Sequence, residues 1–212
     1  MRTTKKSAAL AEHLTSLGAC QRCQLGAGIR PVVSRAPNPR VMLVGQAPGR
    51  VESEGGLPFS GRAGRTLFRW LDRAGFDEAT ARDAIYIAAV TRCYPGAHPS
   101  GRGDRVPTRV EQSICGGWLD DELRIIRPKV LIPVGRLAIM RFLPNLPLSK
   151  LIGTRQPVRH AGGRSIVIPL PHPSGASSWI HEGDNKNLVD QAIGLIGEEL
   201  ATLVVRHSAA RD

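Results

Sequence analysis

Four short apolar runs limit what this chain can fold into. Residues 40–44 (RVMLV), 84–90 (AIYIAAV), 129–134 (KVLIPV) and 165–169 (SIVIP) each read as a buried strand. Between and around them apolar residues recur at helical spacing. In 62–75, Leu67, Phe68, Leu71 and Ala74 share a face before Gly75 ends the pattern, and further helices are expected over 5–17, 109–125, 136–142 and 185–205. Short strands alternating with helices predict an α/β fold, three layers α/β/α around a central four-stranded parallel sheet. Right-handed crossovers then place ligands beyond the carboxyl ends of the strands. Three unusual loops, 45–61, 93–107 and 171–179, leave such ends and should meet in space.

With 212 residues the chain is long enough for one domain, with about six residues at each terminus expected to be flexible. It contains no apolar run long enough to span a bilayer. The charged start MRTTKK has no apolar stretch behind it, so a cytoplasmic protein is expected, with no membrane partner. A net charge of +11, carried mostly by Arg, favours a polyanionic partner, although Arg-rich codon use produces the same balance. Cys20 and Cys23 form a C-x-x-C pair, and Cys93 and Cys115 lie far downstream. In a reducing compartment four thiols suit structural zinc or an iron–sulfur cluster, with zinc slightly ahead on spacing alone.

The first loop reads GQAPGRVESEGGLPFSGRAG, residues 45–64. Pro48 between Gly45 and Gly49 makes a stiff turn, and the helix opened by Gly61 and Arg62 can receive a phosphate at its N-terminus. Phe59 is the one aromatic of that loop, either a core plug or a stacking platform for a flat base. In the last loop Pro171 and Pro173 flank His172, which fixes its imidazole at a strand end. Ser174, Ser177 and Ser178 are small donors suited to phosphates.

Together these segments resemble the uracil-DNA glycosylase superfamily, and especially its iron–sulfur families 4 and 5. GQAPG, PFSGRAG, YIAAVTRCYPG (86–96), VPTRVEQSIC (106–115) and His172-Pro173-Ser174 occur in the family's order, over about residues 20–187. The resemblance implies a single-copy enzyme that flips uracil from DNA and hydrolyses its bond to the sugar, initiating base excision repair. It implies a structural 4Fe–4S cluster on Cys20, Cys23, Cys93 and Cys115, which decides the metal question against zinc. It further implies that Phe59 stacks on the base, that Gln46, Ala47, Ala89 and His172 surround it, and that Gly61, Arg62, Ser174, Ala176, Ser177 and Trp179 serve the phosphates or the wedge.

Several positions depart from the family pattern. The catalytic positions are His172, Glu52 and Gln46, but an amide at 46 cannot act as a carboxylate base. Glu52 is the acid nearest the family's Glu-Asp position, expected to position the water, with Ser53 standing where family 4 has Asp. Ala89 replaces the family 4 Asn that reads uracil, which predicts activity on hypoxanthine or xanthine as well. Ala176 stands at the wedge position, with Trp179 either substituting for it or belonging to the core. Rival readings are a damaged-DNA binder without turnover, a covalent trap, for which His98 lies in the right region without the expected basic motif, and a zinc-bearing nucleotide hydrolase.

Overall fold

The computed structural model describes residues 2–208 except 27, 37, 38, 102 and 175–177. In chain order its elements are α1 (Arg2–Gly18), β1 (Val41–Gly45), α2 (Arg50–Gly55), α3 (Arg62–Arg73), α4 (Glu78–Ala84) and β2 (Ile85–Ala89). There follow α5 (Arg109–Ile126), β3 (Val130–Pro133), α6 (Arg136–Ile139), α7 (Leu148–Leu151), β4 (Gln156–His160) and β5 (Gly163–Val167). A 3-10 turn, Ser178–His181, and α8 (Asn185–Ser208) complete the chain. Helix α1 begins at Arg2.

The sheet has five strands in the order β2-β1-β3-β5-β4, one more than expected. Four are parallel, and β4 pairs antiparallel with β5, from Gln156 opposite Val167 to His160 opposite Gly163. β4 escaped the sequence pattern because it is an edge strand: its side chains alternate between half-buried and exposed, and it contains Pro157. The central strands β1 and β3 are buried along their whole length, hence their continuous apolar runs. The opposite edge, β2, is covered by the segment ahead of β1. There Ile87 N–H donates to the Ser34 hydroxyl at 3.1 Å, and Val32 N–H donates to the Arg92 carbonyl at 2.8 Å.

Two helices are built to hold the site. On α3 the buried residues Gly64, Leu67, Phe68 and Leu71 fall at helical spacing and face the sheet. On α5, Thr108 is the N-cap: its hydroxyl accepts from Glu111 N–H, and Thr108 N–H donates back to the Glu111 carboxylate at 2.7 Å. Arg105 grips the same carboxylate through two nitrogens at 2.6 and 2.9 Å. The Arg105 bonds lead in holding Glu111 down at about 2. The Glu of VPTRVEQSIC is thus accounted for: it caps the helix that carries Cys115 and ties that helix to the loop after β2.

Candidate functional site

The three loops meet as expected. They enclose a cavity of about 750 Å³ at the carboxyl ends of the parallel strands, lined by Gly45–Glu52, Pro58, Phe59 and Gly61–Ala63 from the first loop, by Ala89, Pro95 and Gly103–Arg105 from the second, and by His172 and Ser174 from the last. Of the residues expected there, Gln46, Ala47, Glu52, Phe59, Gly61, Arg62, Ala89, His172 and Ser174 all line it. Trp179 does not: it packs against the hydrophobic core, and its carbonyl accepts from the Asn185 amide at 2.8 Å. Ala176 and Ser177 lie outside the described residues, as does the side chain of Ser178.

Glu52 is a clamp within the first loop. Its buried carboxylate accepts Gly49 N–H at 3.1 Å on one oxygen and Gly61 N–H at 2.8 Å on the other. It therefore ties the start of α2 to the start of α3 through one backbone donor at each helix end. Two of its acceptor sites are thereby taken by backbone donors, beside the reacting water that the sequence suggested for it. Across Gly49 stands a second acid, Asp104, the one carboxylate in residues 94–107. A Cβ on Gly49 would lie 2.7 Å from the Glu52 carboxylate and 2.9 Å from that of Asp104, so only glycine fits between them. Asp104 is held by a short hairpin, with Ala97 bridged to Asp104 and Arg105 N–H donating to the Gly96 carbonyl at 3.0 Å, and by the Tyr94 hydroxyl. Sequence reading passed over it because it sits in a Gly- and Arg-rich stretch that looked like plain loop.

Phe59 lies at the foot of the cavity with φ +52°, a left-handed conformation uncommon for a bulky residue. Its ring packs over the end of β1, where a Cβ on Gly45 would lie 3.0 Å from Cζ. His172 is equally constrained. Ser174 N–H donates to its Nδ1 at 3.2 Å, and the Ser174 hydroxyl lies 2.9 Å from the same nitrogen. Gly135, with φ +84°, lets the ring pass close, since a Cβ there would lie 3.1 Å from Cδ2. A backbone donor on Nδ1 makes that nitrogen the acceptor, so the neutral ring carries its proton on Nε2. Burial lowers the pKa of His172 below the usual imidazole value, which favours this neutral form.

The four cysteines gather elsewhere, around a cavity of about 350 Å³ between the end of α1, the residues after β2 and the second turn of α5. Burial first, and the neighbouring thiols second, push Cys93 up to about 12, and Cys23 and Cys115 shift the same way. Thiols packed like this keep their protons unless a cation replaces them, the chemistry of a thiolate metal centre. Among the described residues no three of His, Cys, Asp or Glu are grouped as they would be around one metal ion; the thiols ring a larger space. Trp118 also lines that space, and its indole N–H is buried with no protein partner. Beneath it Glu122 accepts from the Tyr86 hydroxyl at 2.5 Å and from Arg92, with His13 Nε2 3.5 Å away. Arg92 lines both cavities, so the residue before Cys93 forms part of the wall between them.

With this geometry in view, comparison with known proteins is direct. The family model described as Uracil DNA glycosylase superfamily matches residues 33–194. A type-4 uracil-DNA glycosylase of Thermotoga maritima is 34% identical over 157 residues, covering 73% of this chain and 76% of the relative. One from Archaeoglobus fulgidus is 34% identical over 163 residues with the same coverage. A type-5 uracil-DNA glycosylase of Pyrobaculum aerophilum is 33% identical over 148 residues, 65% of this chain and 62% of the relative.

Proposed function

The chain belongs to the uracil-DNA glycosylase superfamily, and from that premise we propose that it removes uracil from DNA by hydrolysing the bond between base and sugar. The observation that carries this reading is His172, a neutral imidazole locked at the cavity wall with its proton on Nε2. The base leaves the stack and enters the cavity. Phe59 stacks on its face, and backbone groups of Gln46 and Ala47 meet its edge. As the glycosidic bond stretches, negative charge grows on the departing base, and the His172 Nε2–H donates to its carbonyl oxygen. A neutral donor suits this step because it is present over the whole physiological pH range.

The water that attacks the sugar is assigned to Asp104, which lines the cavity across Gly49 from Glu52, while Glu52 holds the loop that presents it. Gly61 and Arg62 at the start of α3, together with Ser174, are placed to receive phosphates flanking the flipped nucleotide. Ala89 offers the base edge no hydrogen-bonding group, so hypoxanthine and xanthine are accepted beside uracil. An Ala89→Asn variant should then gain uracil selectivity on matched oligonucleotides, and no gain would count against this part of the reading.

Cys20, Cys23, Cys93 and Cys115 would hold a 4Fe–4S cluster, supported by the shared cavity and by the raised pKa values of Cys23, Cys93 and Cys115. When bound, the cluster supplies structural cross-linking of α1, the segment after β2 and α5. Covalent capture finds less support: the exposed His98 ring pairs with Ser100 at 2.8 Å and does not line the base cavity. The test is incubation with a uracil-containing oligonucleotide followed by alkali. Strand cleavage is expected, whereas a shifted but uncleaved band, or an adduct that survives SDS, would replace this reading with a binder or a covalent trap.

A further inference from the structure

Phe59 holds a conformation that its own residue type resists, and a side chain from another element holds it there. Arg82 of α4 reaches across to the first loop, donating Nη1 to the Pro58 carbonyl at 2.9 Å and Nη2 to the Phe59 carbonyl at 3.3 Å. Its Nε donates to Glu78 at 2.9 Å, one turn back on the same helix, and Nη2 lies 2.8 Å from the same carboxylate. The guanidinium carbon lies 4.3 Å from the centre of the Phe68 ring on α3. The side chain is 19% exposed, so most of this contact is shielded from water. From the other side α3 presses directly on the same carbonyl: a Cβ on Gly64 would lie 1.7 Å from the Phe59 oxygen.

We propose that Arg82 is a positioning residue for the glycosylase reaction, setting the angle and height of the Phe59 ring from behind the cavity wall. It does not line the cavity and so touches no base. Its effect passes through two carbonyls and one left-handed residue. Left-handed backbone at a non-glycine residue is costly and persists only where its surroundings over-determine it. Arg82 and Gly64 together supply that constraint, and Gly45 leaves room for the ring. The planar fork is essential, because one group must reach two adjacent carbonyls and a carboxylate while sitting over an aromatic ring. Lysine offers a single charge centre and cannot meet that geometry. Freed from Arg82, the ring would drift by a fraction of an ångström to an ångström, and misplacement of that size is enough to slow a reaction that depends on alignment.

This inference rests on the proposed glycosylase activity, and the test separates the two. Arg82→Gln and Arg82→Lys are compared with the parent on a uracil oligonucleotide, alone and combined with Phe59→Ala. Both variants should lower kcat by about tenfold or more with KM nearly unchanged. In the Phe59→Ala background the same changes should cost almost nothing further, since the residue through which Arg82 acts is already gone. An equal loss in both backgrounds, or full activity per folded molecule in Arg82→Gln, would overturn the proposal. If the parent itself cleaves no uracil, the activity reading fails and amide hydrogen exchange decides this one. Faster exchange confined to residues 58–64 in Arg82→Gln supports the pin, and unchanged exchange there rejects it.

Discussion

The thiol corner and the base cavity are neighbours separated in part by one buried arginine, yet they are built on opposite principles. In the base cavity every key group is fixed by the chain itself. Two backbone N–H groups hold Glu52, a backbone N–H orients His172, and Gly45, Gly49, Gly64 and Gly135 admit side chains or backbone where any Cβ would collide. Around the thiols the protein is incomplete by its own chemistry. Four thiols repel one another's ionised forms, and an indole N–H lacks a protein partner. A cavity preorganised by covalent geometry can bind and act on a guest without being reshaped by it, whereas a ring of thiols needs its guest to be a stable part of the fold.

That contrast can be broken most decisively at the thiols. Cys115→Ala should abolish the broad absorbance near ~400 nm of thiolate-ligated iron and destabilise the protein by several kcal/mol, since metal binding energy becomes folding energy. Absorbance and thermal melting measure this, and an unchanged melt would mean that the cavity needs no guest. His172→Ala should do the reverse. It should lower kcat by about 10²–10³ while shifting the melting point by less than about 4 °C and leaving DNA binding intact.

The two carboxylates beside Gly49 should separate along the same line. Asp104→Asn is expected to lower kcat by about 10² with little change in melting, as loss of a water-positioning group does. Glu52→Gln should instead cost about 1–3 kcal/mol of stability, because its two buried backbone donors lose their charged acceptor. Rate and melting profiles that exchanged these roles would return the water to Glu52. The smallest effect concerns pH. Burial lowers the folded-state pKa of His172, so the proton it takes up on acidification binds the unfolded chain first. The resulting destabilisation is therefore absent above the ordinary imidazole value and grows as pH falls from there to the lowered folded value. The acid limb of kcat assigned to His172 should likewise lie below the ordinary imidazole range, and a limb inside that range, still present in Asp104→Asn, would contradict a neutral donor.

Much of this was legible in the residues. The parallel strands, the helix from 62 and the helix from 109 follow from apolar spacing and end signals, and the convergence of three loops follows from strand direction alone. β4 was missed because an edge strand has no buried face to write a continuous apolar run. Arg82 was invisible for a different reason: the sequence pattern marked no helix over 78–84, and the carbonyls it binds lie 23 and 24 residues back in the chain. Trp179 could be read as wedge or core, and packing placed it against the core.

What the sequence determined by itself is which chemistry is present and at which end of the sheet it gathers. Glycine spacing, the prolines around His172 and the order of the cysteines are local features, written where they act. Tertiary structure alone decided how they are held: that the Glu52 carboxylate clamps two helix starts, which nitrogen of His172 keeps its proton, and what packs around Phe59. Those outcomes turn on contacts of about 3 Å set by the folded backbone, and hydrogen bonds are too short-ranged for spacing along the chain to foretell them.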